Sequence, residues 1–156
     1  MSNHAKHTLE GLKSKPLRDS LAVALDAIND RWCLHIVRAV AFGASRYTDI
    51  LREVGAPRDV LSSRLRKLTA SGILQQHSPE QGRPAGYELT RKGRDLGHVI
   101  LVLKRWGDTH GEDGVPQVDF VHDGCGAVFV AEVRCQACGE PVRSGQVSVH
   151  PASPGC

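Results

Sequence analysis

The stretch RYTDILREVGAPRDVLSSRLRKLTASG, residues 46–72, decides how the rest of the chain is read. Tyr47, Ile50, Leu51 and Val54 share one side of a short helix over about 47–54. Gly55, Ala56 and Pro57 make a tight turn. Leu61, Leu65 and Leu68 then recur at i, i+4 and i+7, which predicts a second helix over about 58–70 with Gly72 following its end. Two helices joined by a three-residue turn containing Gly fit a helix-turn-helix.

Upstream, Leu21, Leu25 and Ile28, then Trp32, Ile36 and Val40, mark helices at about 18–28 and 31–42, with Asn29 or Asp30 as cap and Gly43 as terminator. Downstream, ILQQHS and AGYELT read as strands flanking PEQGRP, where three of six residues are Gly or Pro. Thr90 caps a long helix over about 91–110, whose Leu96, Val99, Ile100, Leu101, Val102, Leu103 and Trp106 cover more than one face and call for a partner on both sides. The expected organisation is an arm (1–16), a main domain (17–111), a linker (112–116), a small module (117–150) and a tail (151–156). The expected fold class is mainly α with a small β-wing, a winged helix-turn-helix, plus a small C-terminal β module.

Charge is focused rather than strong. Between Arg46 and Arg94 ten Lys and Arg face five Asp and Glu, whereas residues 114–156 carry a net −2. A basic middle suits a polyanion such as nucleic acid. No apolar run has the roughly 18 residues of a membrane span, and the first residues lack a signal-peptide pattern, so the chain reads as cytoplasmic with reduced thiols. There is no GxSxG, no phosphate-binding Gly loop and no spaced carboxylate pair with a nucleophile, so an enzyme is not expected.

In a helix-turn-helix the second helix leads into the major groove. With the three leucines inward, Asp59, Ser63, Arg66, Lys67 and Ala70 face outward, and Arg58 and Ser62 stand at the edge of that face. Arg66 offers the fork that matches guanine O6 and N7. Arg64 falls towards the apolar side and is expected to be paired inside the protein. Arg46 and Arg52 flank the first helix of the motif, where phosphate contacts hold register. His77, Gln81 and Arg83 are the wing candidates. Leu21, Leu25, Ile100, Leu103 and Trp106 offer more apolar surface than one such domain buries, which points to a dimer interface.

The wording of DAINDRWCLHIVRAV, RYTDILREVGAPRDVLSSRLRKLTASGIL and YELTRKGRDL, with Trp106 closing the last helix, resembles the HxlR-type family of bacterial transcription regulators, relatives of the MarR group. The match runs from about Asp19 to Asp108. It implies a homodimer on a palindromic double-stranded DNA operator, with repression favoured over activation, and leaves room for a small-molecule effector. Many members carry a Cys-Pro pair before the first helix, and some sense oxidants with it. Here the region reads KSKPLRDS, so thiol sensing at that place is excluded.

The module holds His122-x2-Cys125-x9-Cys135-x2-Cys138, with Gly126 and Gly139 after each pair. Glycine there lets the backbone turn so that amides point at sulfur. Two such knuckles joined by AVFVAEVR, which alternates like a strand, resemble a zinc ribbon with one His in place of Cys. One structural zinc per chain, held by these four residues, is the expectation, with sensing of zinc or oxidants as an alternative. A protein-interaction adaptor without DNA binding is a further alternative, which the basic second helix disfavours. Cys33 reads as an inert core thiol and terminal Cys156 as an exposed one; His35, His98 and His110 carry no assigned role.

Overall fold

The computed structural model describes residues 20–79, 84–111, 118–143 and 145–148. Five helices and a two-stranded sheet follow in the order α1 (Ser20–Ile28), α2 (Arg31–Ala41), α3 (Tyr47–Val54), α4 (Arg58–Ala70), β1 (Leu74–His77), β2 (Gly86–Leu89) and α5 (Arg91–His110). The strands are antiparallel, with Leu74 opposite Leu89 and His77 opposite Gly86. This is the expected winged helix-turn-helix.

Local chemistry sets the boundaries. Asp30 caps α2 by accepting the Cys33 amide at 3.1 Å, and its carboxylate also takes Arg64 Nε of α4. Partial burial pushes the Asp30 carboxyl up, but the Cys33 amide, the Arg64 hydrogen bond and the Arg64 charge together leave it below its ordinary range. Arg64 is thus the internally paired residue that its position predicts. Gly55, at φ 67°, ends α3 in the left-handed conformation and gives its amide to Leu51 O at 2.9 Å. Thr90 caps α5 through the Gly93 amide at 3.1 Å.

The core lies where α2, α3, α4 and the start of β1 meet: Cys33, Ile36 and Val37, then Ile50, then Leu61, Leu65 and Leu68, then Ile73 and Leu74. Ala56, in the turn between α3 and α4, is buried with them. The first turn of α5 is pressed against the root of the wing. A Cβ on Gly93 would stand 2.2 Å from the Ile73 carbonyl oxygen, so only glycine fits there. Thr90 Oγ1 donates to Gly72 O at 2.6 Å, and Lys92 Nζ donates to Ser71 O at 2.8 Å, tying the end of α4 to the beginning of α5.

The C-terminal module differs from expectation in one respect. AVFVAEVR forms no strand; the described residues there make only the isolated bridges Val121–Val128 and Arg134–Pro141. Its pairing with neighbouring segments stops at these single bridges, and Val128, Val130 and Val133 remain exposed. The module rests on the main domain through Phe120, whose ring lies 5.1 Å from that of Phe42 and under Lys104 Nζ, and through a hydrogen bond from Arg105 to Ala131 O. Ala131 is its one buried hydrophobic residue among those described.

Candidate nucleic-acid interface and paired cysteine turns

The start of α4 is braced from α3. Tyr47 Oη donates to Arg58 O at 3.1 Å and lies 3.1 Å from Ser62 Oγ, which itself donates to Arg58 O at 2.8 Å. Ser62 is therefore engaged within the helix pair rather than presented outward. Arg58, Asp59, Arg66 and Ala70 are exposed, while Ser63 and Lys67 are half-buried on the same strip. The outward face is the one that the leucine spacing predicts. Asp59 in the first turn suits the helix dipole and can accept from cytosine N4, and Arg66, one turn below Ser63, is exposed and can fork onto a guanine. No side chain caps α4, since Pro57 stands in that place.

Arg46 is exposed at the start of α3, and Arg52 is exposed at its end. Arg52 Nη2 lies 3.4 Å from Asp49 and its Nε 3.8 Å from Glu53. Exposed pairs of this kind hold weakly, so a phosphate can compete for the guanidinium. On the wing, His77 is placed inward. Both ring nitrogens are shielded from solvent without a hydrogen-bond partner, and the ring fills the space left by Gly86, where a Cβ would come within 3.0 Å of Nε2. Its place in ILQQHS put it on the wing without showing that its strand partner was a glycine. Gln81 and Arg83 lie outside the described residues.

Of the expected interface residues, Leu21, Leu25, Leu103 and Trp106 are exposed, the last at 65 %, and α1 has no fully buried residue, only Ala27 and Ile28 packing partly against the core. Ile100 instead leans against the core beside Leu96. The exposed Val23, Val99 and Val102 widen the same apolar surface.

In the module the two cysteine turns repeat one hydrogen-bond scheme. His122 N donates to Ala127 O at 2.9 Å and Gly126 N to His122 O at 2.8 Å; Cys135 N donates to Glu140 O at 2.9 Å and Gly139 N to Cys135 O at 2.8 Å. Gly126 and Gly139 have φ of 70° and 75°. His122 Nδ1 lies 3.3 Å from Cys125 Sγ. Amide hydrogen bonds from Cys138 and Ala137 hold the Cys135 thiol below its usual pKa, whereas burial pushes that of Cys33 up. Each turn brings its own two candidate ligands together, but no group of three or more His, Cys, Asp or Glu gathers at metal-binding range among the described residues. The four described cysteines are free thiols.

The sequence pattern of the HxlR-like helix-turn-helix family matches residues 27–114, more than half of the chain. The chain belongs to that family. It is 36 % identical over 137 residues, 85 % of each chain, to the uncharacterised HTH-type transcriptional regulator Rv3095 of Mycobacterium tuberculosis. The crystal structure of PA1607, a proposed transcription factor, superposes with a TM-score of 0.78 at 27 % identity, covering 88 % of this chain and 98 % of that one. The reduced transcriptional regulator YodB of Bacillus subtilis superposes at 0.54 with 25 % identity, covering 64 % of this chain and 99 % of its own.

These coverages separate two parts of an HxlR-like regulator. YodB is spanned almost completely by about two thirds of this chain. Rv3095 and PA1607 match over a length that exceeds the winged helix, residues 20–111, and so extends into the C-terminal module. The HxlR-like match is to transcriptional regulators, not enzymes. No described helix is long and apolar enough to cross a membrane. Sequence reasoning missed Tyr47 as the brace of α4, because its hydroxyl partners sit eleven and fifteen residues away and its ring alone already explained its place in the pattern.

Proposed function

We propose that the protein acts as a homodimer that represses transcription by placing the two copies of α4 in successive major grooves of a palindromic operator. The observation that carries this reading is the outward strip of exposed Asp59 and Arg66 and half-buried Ser63 and Lys67, braced from behind by Tyr47 and the leucine core. The dimer is supported by the unburied apolar surface of α1 and α5, which a second copy would cover. Arg46, Arg52 and Arg58 would hold phosphates, and the wing would add backbone contacts. A cleft of about 300 Å³ among Arg38, Phe42, His98, Leu101 and Phe120 gives a small-molecule effector a place to bind. The exposure of Cys125 and Cys138 favours a second reading in which oxidation or metal at the cysteine turns alters DNA affinity.

Selection from a random duplex pool with the full chain tests the main reading. Palindromes with half-sites about 10 base pairs apart are expected. Arg66→Ala should then lose about 1–3 kcal/mol of discrimination at one symmetric position, with little change elsewhere. A selected site without two-fold symmetry would defeat the dimer, and an unchanged preference in Arg66→Ala would defeat its placement.

A further inference from the structure

We propose that His122, Cys125, Cys135 and Cys138 form one tetrahedral site for a thiophilic divalent cation, zinc foremost, and that Gly124 is there to admit the histidine. The inference is independent of how the protein uses DNA.

The two turns are built to the same plan from different residues. Counting from the first ligand, both have the second ligand at +3, a left-handed glycine at +4 and a closing backbone hydrogen bond from the first ligand's amide to the residue at +5. Unrelated surface loops have no reason to share all of these. In the second turn the first ligand is the Cys135 thiol. In the first turn the corresponding ligand is an imidazole, which is larger than a thiol. The residue two places on is then Gly124, where the second turn has Ala137. A Cβ at Gly124 would stand 2.9 Å from His122 Cε1, so alanine there would push the ring off its present position. With glycine, His122 Nδ1 reaches 3.3 Å from Cys125 Sγ. Two ligands on a tetrahedral zinc, one sulfur and one nitrogen at ordinary bond lengths, stand about 3.6 Å apart. The first turn therefore already holds its pair close to the separation that a shared cation requires.

The two pairs stand apart in the structure, and the segment between them explains why a cation would close them. Residues 127–134 form no strand, and Ala131 O accepts a hydrogen bond from Arg105 of α5. With one buried hydrophobic residue, the module has little apolar packing to fix how its turns face each other. A cation that takes both pairs supplies that missing free energy, and three thiols release their protons as it binds. A Cys3His set has the softness that zinc prefers and leaves no open position for a substrate.

The test is the zinc content of the full chain purified without chelator, with cobalt(II) reconstitution as the second readout. About one zinc per chain is expected, along with an intense tetrahedral thiolate–cobalt spectrum. Cys135→Ser and Cys138→Ser should lose both signals while the helical circular dichroism persists. Gly124→Ala removes no ligand, yet should weaken retention against a competing chelator by roughly tenfold, the scale of effects from groups that orient ligands. A merely structural turn would leave retention unchanged in that variant. A chain that stays metal-free and fully thiol-reactive after incubation with zinc would overturn the proposal. So would half a zinc per chain, or undiminished zinc in Cys135→Ser.

Discussion

The helix-turn-helix and the cysteine turns are both about thirty residues or fewer, yet they are held by different physics. Residues 46–72 bury Ile50, Ala56, Leu61, Leu65 and Leu68 against α2, and their backbone hydrogen bonds lie behind that packing. Residues 121–142 bury Ala131 alone and are organised by two hydrogen-bonded turns. The first region gets its shape from apolar area removed from water, which is non-directional and additive over many contacts. The second gets its shape from a few directional bonds around left-handed glycines, and such bonds yield about 1 kcal/mol each after water has been displaced. One part of the molecule should therefore respond to lost methyl groups, the other to lost donors and ligands.

Leu65→Ala should strain this contrast most. Leu65 is 1 % exposed at the centre of α4, and truncation should cost about 2–5 kcal/mol, read as a fall in the urea midpoint of the helical signal. A loss below about 1 kcal/mol would mean that the core is loosely packed. Asp30→Ala should come next, at about 0.5–2 kcal/mol from the lost cap, with Arg64 left without its partner. Because the Asp30 pKa is depressed by folding, its contribution is present above the unfolded pKa and disappears as the pH falls through the folded value. The gap between variant and wild type should accordingly narrow in acid; a gap that widened would assign the effect to another group. Smallest of the three, Val130→Ala in the module should change stability by no more than about 0.5 kcal/mol, since Val130 is 63 % exposed. A larger loss would show that the module folds by apolar packing after all.

What was legible in the sequence follows the same division. The spacing of Leu61, Leu65 and Leu68 located the inward face of α4 because helical periodicity is local, and Asp30 and Thr90 announced helix starts for the same reason. The opposite, outward strip followed by geometry. Partners distant in the chain were not legible: that Arg64 would find Asp30, thirty-four residues away, required the crossing of α2 and α4. Ser62 looked like part of the outward edge until the Tyr47 hydroxyl claimed it. Ile100 counted as interface because a wide apolar arc on α5 cannot show which residue turns to the domain's own core. AVFVAEVR read as a strand because alternation records a two-sided environment, but pairing needs a neighbouring edge, and the module offers none beyond isolated bridges. The turn glycines Gly126 and Gly139, by contrast, stand where the spacing put them.

The bonds from Thr90 and Lys92 to Gly72 and Ser71, with Gly93 seated on the Ile73 carbonyl, have a mechanical consequence. They tie the far end of α4 directly to the near end of α5. In the proposed dimer, the two α5 helices and the two α4 helices then behave as the arms and jaws of a calliper. A small rotation at the α5 contact would be transmitted to the jaws without being absorbed at the joint. The gap between the DNA-reading ends would thus be set by the angle at which two copies meet, and a Gly93 substitution would loosen the instrument without touching either jaw.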